Sequence, residues 1–278
     1  MKTSDVRAVQ TKLAALGLYH DKIDGDRGPN TDTAILAGLP RLRVALPQGW
    51  QSLSEKRRAV AFLQAMAKAE GIDPGPIDGW WGPQTEFAAT ALAQKLQTGT
   101  VPTWRDVVPS AANPSDWPKE SGVVGFYGPH GRPDAPFPPP PLVKVPSPWT
   151  FRIAWNLSQT RSFLWAHEKC AASLGRVLNA VFAQYGEARL RALSLDIFSG
   201  DYNARLKKGS ASSWSMHSWG IAFDFDDTHN QLTWHADRAR FAQPEYIPWW
   251  QIWEAEGWVS LGRSRNFDWM HVQAARLD

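Results

Sequence analysis

The sequence is poor in cysteine, in long apolar runs and in net charge. The single thiol, Cys170, leaves no partner for an intramolecular disulfide, and its apolar helical surroundings predict a buried thiol rather than a nucleophile. No apolar run approaches the roughly 20 residues that span a bilayer, so stable membrane insertion is not expected. Residues 1–13 contain no uninterrupted apolar segment of the secretory type, so we expect synthesis in the cytoplasm. A net charge of +3 is too small to indicate a nucleic-acid partner, and it suits an acidic polymer as well as an ordinary basic surface.

Tryptophan and proline are abundant, with 16 and 21 residues. Indole rings favour packed clefts and ligand platforms. Prolines concentrate in residues 99–150, and we predict a Pro-rich linker over 99–121 that its aromatic residues keep partly ordered. The length of 278 residues allows two or three compact units. We therefore predict a helical domain over 1–98 and a second domain over 122–278, in a monomeric protein.

An internal repeat occupies the N-terminal third, in copies at about 3–40 and 55–98. Residues 9–34 align without a gap with residues 63–88. Each copy has the pattern of an amphipathic helix, a tight Asp-Gly turn and a second helix that begins at Gly-Pro. The repeat thus predicts a small all-α domain. The identical positions are Gln10 and Gln64, Gly17 and Gly71, Ile23-Asp24-Gly25 and Ile77-Asp78-Gly79, Gly28-Pro29 and Gly82-Pro83, and Thr31 and Thr85.

This repeat resembles the peptidoglycan-binding domain of many cell-wall hydrolases, whose signature is Ile-Asp-Gly-x-x-Gly-Pro-x-Thr. The resemblance implies bacterial peptidoglycan as a partner. The second copy carries Trp80 and Trp81 in the turn, where the first copy has Asp26 and Arg27. Paired indoles beside a turn favour stacking on sugar faces, which makes both tryptophans candidate substrate-binding residues. Two alternatives stay open: the signature only shapes a helix–turn–helix, and the tryptophans only fill a small core.

Residues 122–278 are predicted to form an α+β domain with an antiparallel sheet. The apolar spacing is helical from Ser158 to Tyr185, with Ser158 as the N-cap and Gly186 as the stop. Alternation and β-branched or aromatic content predict three strands further along. The predicted strands cover 193–198, 219–225 and Met270 to Gln273, and a last helix covers 244–256.

Two short blocks carry the residues suited to metal chemistry. The first contains Ser215, His217 and Asp224, and the second contains Asp268 and His271. Two imidazoles and one carboxylate, from His217, Asp224 and His271, can hold a tetrahedral zinc ion with one position open for catalysis. Asp268, three residues before His271, is predicted to be the general base that does not ligate the metal. The helical pattern His-Glu-x-x-His is absent, which excludes a thermolysin-type site.

The spacing of these blocks resembles that of the zinc peptidases that comprise D-Ala-D-Ala carboxypeptidases, VanY-type enzymes and phage L-alanyl-D-glutamate endopeptidases. The resemblance covers about residues 150–278 and implies zinc-dependent hydrolysis of an amide bond in the stem peptide of peptidoglycan. It also implies that Arg205 clamps the substrate and stabilises the oxyanion, and that Ser215 lies near the substrate. Many VanY-type enzymes have Glu where this chain has Asp268, which favours the L-Ala-D-Glu endopeptidase branch.

Taken together, the two resemblances predict a modular peptidoglycan hydrolase, similar to a phage endolysin, that acts on the cell wall after release. The alternatives are a D,D-carboxypeptidase or cross-link endopeptidase, and a wall-binding protein whose zinc is structural. A glycosidase is disfavoured because no pair of acidic residues stands in a recognisable glycosidase context. Two further expectations concern packing. Lys207 and Lys208 are expected to be solvated loop charges, and Trp249, Trp250 and Trp253 are expected in the core.

Overall fold

The computed structural model describes residues 1–101, 104, 108–133, 140–208, 210 and 212–278. It divides into two compact units, Met1–Thr103 with Lys208–Ala211, and Trp104–Lys207 with Ser212–Asp278. Among the helices of the described residues, none is both long enough and apolar enough to cross a membrane.

The first unit is all-α, as the repeat predicts. Pro29 and Pro83 each stand at the start of a helix, where the missing proline N–H costs no hydrogen bond. Apolar faces of the helices form a small core that includes Leu13, Ile35 and Phe62. The helices are α1 (Thr3–Ala15), α2 (Pro29–Gly38), α3 (Glu55–Ala69) and α4 (Pro83–Thr98).

A buried glutamine holds the turn of each repeat. Gln64 Oε1 accepts a hydrogen bond from Gly79 N at 2.9 Å, while its Nε2 donates to Thr85 Oγ1 at 3.0 Å and Trp80 O at 3.1 Å. Gln10 makes the corresponding bond to Gly25 N at 2.9 Å. Gly25 and Gly79 have positive φ values of 83° and 72°, and an added Cβ would lie 2.7 Å and 2.5 Å from a backbone oxygen. The repeated Gln, Asp-Gly and Thr positions are therefore structural.

The second unit contains a six-stranded sheet with helices, in the order β2-β1-β3-β4-β6-β5. The α+β prediction is confirmed. The pairings are antiparallel except between β1 and β3, which run parallel, so the sheet is mixed rather than antiparallel. The elements are α5 (Val123–Tyr127), β1 (Leu142–Ile153), β2 (Asn156–His167), α6 (Glu168–Ala192), β3 (Ile197–Gly200), β4 (Ala222–Phe225), α7 (Ile247–Ala255), β5 (Val259–Ser260), α8 (Leu261–Arg265) and β6 (His271–Gln273).

The predicted helix from Ser158 to Tyr185 is wrong in its first ten residues. Residues 158–167 belong to β2, which pairs with β1, and the helix begins only after His167. Within β2, burial alternates, because Leu164 and Ala166 face the core. Gly186 does interrupt the helix, with a φ of 62°, but α6 continues beyond it. The strand predicted over 193–198 begins later, as β3.

The core of the second unit is rich in indole rings. Trp249, Trp250 and Trp253 on α7 are almost fully buried, which confirms their predicted packing role. Trp117, from the segment predicted as a linker, is also buried, and its indole N–H donates to Glu256 O at 3.2 Å. Cys170 is a buried thiol, as predicted, and burial raises its pKa to about 12. The Pro-rich segment around Trp117 therefore packs as part of this unit.

Candidate metal centre

The pairing of two strands brings the predicted metal ligands together. Asp224 on β4 is the direct cross-strand partner of His271 on β6, so their side chains emerge on the same face of the sheet. His217 lies in the 3-10 helix Met216–Trp219 that precedes β4. That helix ends at Gly220 with a φ of 69°, a left-handed conformation that favours glycine and turns the chain into the strand.

Three ligand atoms converge in this site. His271 Nδ1 lies 2.9 Å from Asp224 Oδ1, and His217 Nε2 lies 3.2 Å from both of these atoms. All three residues are buried or nearly so. A tetrahedral ion with bonds of about 2.0–2.1 Å keeps its ligand atoms about 3.3–3.4 Å apart, close to the spacing here. The His217, Asp224 and His271 cluster can therefore hold a metal ion.

A hydrogen bond at the far nitrogen of each imidazole fixes its tautomer. His217 Nδ1 lies 2.6 Å from the backbone oxygen of Asp201, which can only accept, so Nδ1 carries the hydrogen. His271 Nε2 lies 3.1 Å from Gln273 Oε1 and donates to it. In its neutral form each ring then turns a lone pair towards Asp224. Outer partners of this kind orient the histidine ligands in metal sites.

The convergence leaves three acceptors without a donor when both imidazoles are neutral. His217 Nε2, His271 Nδ1 and Asp224 Oδ1 face one another, so a proton or a cation must lie among them. Burial alone would raise the pKa of Asp224, but His217 and His271 lower it well below its usual range. Burial lowers the pKa of His271, but the hydrogen bond and charge of Asp224, with the charge of Asp268 and the Gln273 hydrogen bond, together outweigh burial and raise it. The site thus favours a bound positive charge.

Asp268 lies beside the cluster with the properties of a proton acceptor. Its side chain is buried, and among the residues that the structure describes Oδ1 has no hydrogen-bond partner. Burial raises its pKa to about 7, and the charge of Asp224 adds to the increase while His271, His217 and Arg205 oppose it. Its φ of 57° is uncommon for a residue other than glycine and costs on the order of 1 kcal/mol. A buried carboxyl group whose Oδ1 is unpaired among the described residues, in a turn with a positive φ, is a candidate functional group.

Arg205 and Ser215 lie in the segment that leads into the 3-10 helix of His217. The charge of Arg205 lowers the pKa of Asp268, and its exposed side chain donates to Leu206 O at 3.3 Å. Ser215 is buried, and its backbone N–H donates to Arg205 O at 3.0 Å. Ser218, which the sequence analysis missed, accepts from Arg205 N at 3.0 Å and anchors this segment. Arg205 is therefore close enough to Asp268 for its charge to affect the pKa of that carboxyl group, and Ser215 is linked to Arg205 through the backbone.

Trp80 and Trp81 lie in the first unit, in the turn that Gln64 holds. The Trp80 side chain is 40% exposed, and the guanidinium of Arg57 lies 4.6 Å from its ring centroid. Trp81 is partly buried. The Trp80 ring therefore contacts Arg57 and also remains partly exposed to solvent.

The sequence analysis missed the residues that support the ligands. Gln273 lies two residues after His271 on β6, so the alternation of a strand places both side chains on one face. This spacing could have predicted Gln273 as a neighbour of His271. Asp201 and Glu120 have no such signal, because they meet the site from distant parts of the chain. Lys207 is ion-paired with Glu120 at 2.5 Å rather than solvated, which corrects the expectation for that lysine.

Comparisons with protein-family models, curated proteins and solved structures find no match to this chain.

Proposed function

We propose that this protein is a zinc-dependent peptidase that hydrolyses an amide bond in the stem peptide of bacterial peptidoglycan. The observation that carries the proposal is the convergence of His217, Asp224 and His271 beside the buried carboxyl group of Asp268, whose Oδ1 is unpaired among the described residues. Two histidines and one carboxylate are a ligand set of catalytic zinc sites. The substrate class rests on the resemblances of the repeat and of the two metal-binding blocks.

In this proposal the chain's own residues hold the substrate and move the proton. A zinc ion held by His217, Asp224 and His271 would supply Lewis-acid chemistry for the scissile carbonyl and for water. Asp268 accepts the water proton at Oδ1 and delivers it to the nitrogen of the leaving amine. In the metal-free protein burial raises the pKa of Asp268 to about 7, and the positive charge of a bound metal ion would favour the carboxylate form that accepts the proton. Arg205 binds the substrate carbonyl or carboxylate and stabilises the negative charge that develops on its oxygen.

The L-Ala-D-Glu bond is the preferred target, and the D-Ala bonds of the stem or cross-link are the alternative. Digestion of purified peptidoglycan, followed by mass spectrometry of the fragments, distinguishes these bonds by the new termini that appear. His217→Ala and Asp268→Ala should each abolish the release of new amino termini. Asp237→Asn, which alters an exposed carboxylate, is the matched control and should retain full activity. Undiminished cleavage by either active-site variant would refute the peptidase assignment.

A wall-binding role for the first unit completes the proposal. The repeated Gln, Asp-Gly and Thr positions maintain the turns, so binding falls to exposed side chains such as Trp80. Attachment to an insoluble polymer raises the effective concentration of the substrate for the peptidase unit. We expect Trp80→Ala to reduce co-sedimentation with purified cell walls and to leave cleavage of a soluble muropeptide unchanged. Equal sedimentation of both proteins would exclude Trp80 from binding.

A further inference from the structure

A chain of hydrogen bonds runs outward from His271 to an ion pair. His271 Nε2 lies 3.1 Å from Gln273 Oε1, and Gln273 Nε2 donates to Glu120 Oε1 at 2.9 Å. The other carboxylate oxygen of Glu120 accepts from Lys207 Nζ at 2.5 Å. The four residues come from three separate parts of the sequence, and none of the outer three belongs to the predicted catalytic set.

Glu120 determines which way the buried amide of Gln273 points. Gln273 Nε2 faces two acceptors, Glu120 Oε1 and, at 3.0 Å, the backbone oxygen of Ala275. A flipped amide would put its oxygen against both of these oxygens, and Gln273 is almost fully buried, so water could not relieve the repulsion. With the amide in this orientation, its oxygen is directed towards His271.

The orientation of the amide sets the hydrogen position on His271. An amide oxygen only accepts, so His271 Nε2 carries the hydrogen and Nδ1 keeps its lone pair for the metal. A flipped amide would donate to Nε2 instead and would move the hydrogen to Nδ1, which faces Asp224 at 2.9 Å. That tautomer has no lone pair to offer a cation at Nδ1.

Two contacts hold Glu120 in place, one at its carboxylate and one at its backbone. Lys207 neutralises it, and the backbone N–H of Glu120 donates to Arg276 O at 2.8 Å, just beyond the end of β6. Its side chain is 15% exposed, so the charge is largely removed from water. Glu120 is thus anchored at both its backbone and its side chain, and its largely desolvated carboxylate can impose a direction on the amide beside it.

We propose that Glu120, held by Lys207, is a positioning residue of the metal centre: it fixes the amide of Gln273 and so keeps His271 ready to bind metal through Nδ1. This inference rests on the proposed metal site and adds a device that tunes its affinity. Loss of an outer partner of a metal ligand lowers metal affinity by about 10- to 100-fold. Glu120 acts through one further residue, so we expect the lower end of that range.

The test is the zinc affinity of the full-length chain, measured by competition with a chromogenic chelator. Glu120→Ala should bind Zn²⁺ about tenfold more weakly than the wild type, and Glu120→Gln, which keeps a neutral acceptor, should fall between them. Glu256→Ala is the matched control, because Glu256 also pairs with a basic side chain, that of Arg176 at 2.7 Å, and its side-chain contacts among the described residues are with Arg176 and Ser173 rather than with the metal centre. Its zinc affinity should equal that of the wild type.

The outcomes separate this inference from the proposed function. Equal zinc affinity of the wild type and both Glu120 variants would overturn the positioning role and leave the peptidase proposal standing. Failure of the wild type to bind zinc would overturn both. The melting temperature of each metal-free variant is measured beside the zinc titration. If Glu120 had a purely structural role, Glu120→Gln would have a lower melting temperature than the wild type but the same zinc affinity. That pattern would also overturn the inference.

Discussion

Replacing Asp268 with asparagine should stabilise the metal-free protein at the same time as it removes activity. The usual pKa of an aspartate in an unfolded chain is near 3.8, and burial in the folded site raises it to about 7. Between these values the folded state holds a proton that the unfolded state has released, so stability falls as the pH rises through this window. Above pH 7 the folded protein carries the full cost of the buried charge.

The size of this cost follows from the pKa change. Raising a pKa from 3.8 to about 7 corresponds to about 4 kcal/mol. Asparagine carries no charge, but its N–H groups lose water in the same site, at a cost of about 1–3 kcal/mol. We therefore expect the free energy of unfolding of Asp268→Asn to exceed that of the wild type by about 1–3 kcal/mol at pH 8. The gain should shrink towards zero or reverse at pH 4.

Urea unfolding of both proteins, in the presence of a chelator at pH 8 and pH 4, measures this difference. The exposed carboxylate variant Asp237→Asn serves as the control and should show no gain at either pH. In the zinc-loaded form, Asp268→Asn should retain its metal and lose about 10²- to 10⁴-fold in the rate of peptide release. A variant that is less stable than the wild type at pH 8, or equally altered at both pH values, would refute the electrostatic reasoning.

Two further predictions concern stability. Gln64→Leu removes the hydrogen bonds that hold the turn of the second repeat and leaves Gly79 N without its acceptor. It should therefore lower the free energy of unfolding of the first unit by about 2–4 kcal/mol. Gln94→Leu, on the exposed face of α4, is the control and should change this free energy little, and chemical denaturation followed by circular dichroism measures both variants. His167 caps α6 by accepting from Lys169 N at 3.1 Å, and burial lowers its pKa, so stability should fall as the pH drops below about 6.5. His167→Asn, which keeps a cap acceptor, should lose less stability between pH 7 and pH 5 in urea titrations; an identical loss in both proteins would contradict this.

Much of the metal site could be predicted because its signals are local. Asp224 and His271 each lie within a short strand that follows a recognisable block, and antiparallel pairing of those strands is enough to bring them together. The sequence did not predict the partners that orient them. Asp201 is held by Arg161 and Trp165 of β2, and that contact depends on how the hairpin packs rather than on any local pattern.

The β1–β2 hairpin is the main error of the sequence analysis, and the cause is physical. Residues 158–167 contain Phe163 and Ala166 at helical spacing from Cys170, so the apolar period of α6 extends backwards into the strand. The competing signal is alternation, in which Leu164 and Ala166 face the core. The helical and the strand period share residues here, so the sequence alone does not distinguish them over so short a stretch. Pairing with β1 makes residues 158–167 a strand.

The features around Asp268 favour a catalytic over a structural metal site. Structural zinc sites are closed by four protein ligands, whereas catalytic sites keep a position open for water or substrate. Within the part of the chain that the structure describes, the metal-ligand cluster consists of His217, Asp224 and His271. The neighbouring carboxyl group of Asp268 is buried, lacks a partner at Oδ1 and lies in a left-handed turn, and each of these features costs stability. A structural site would gain nothing from these costs, whereas a proton acceptor beside an open metal position requires a free carboxylate oxygen.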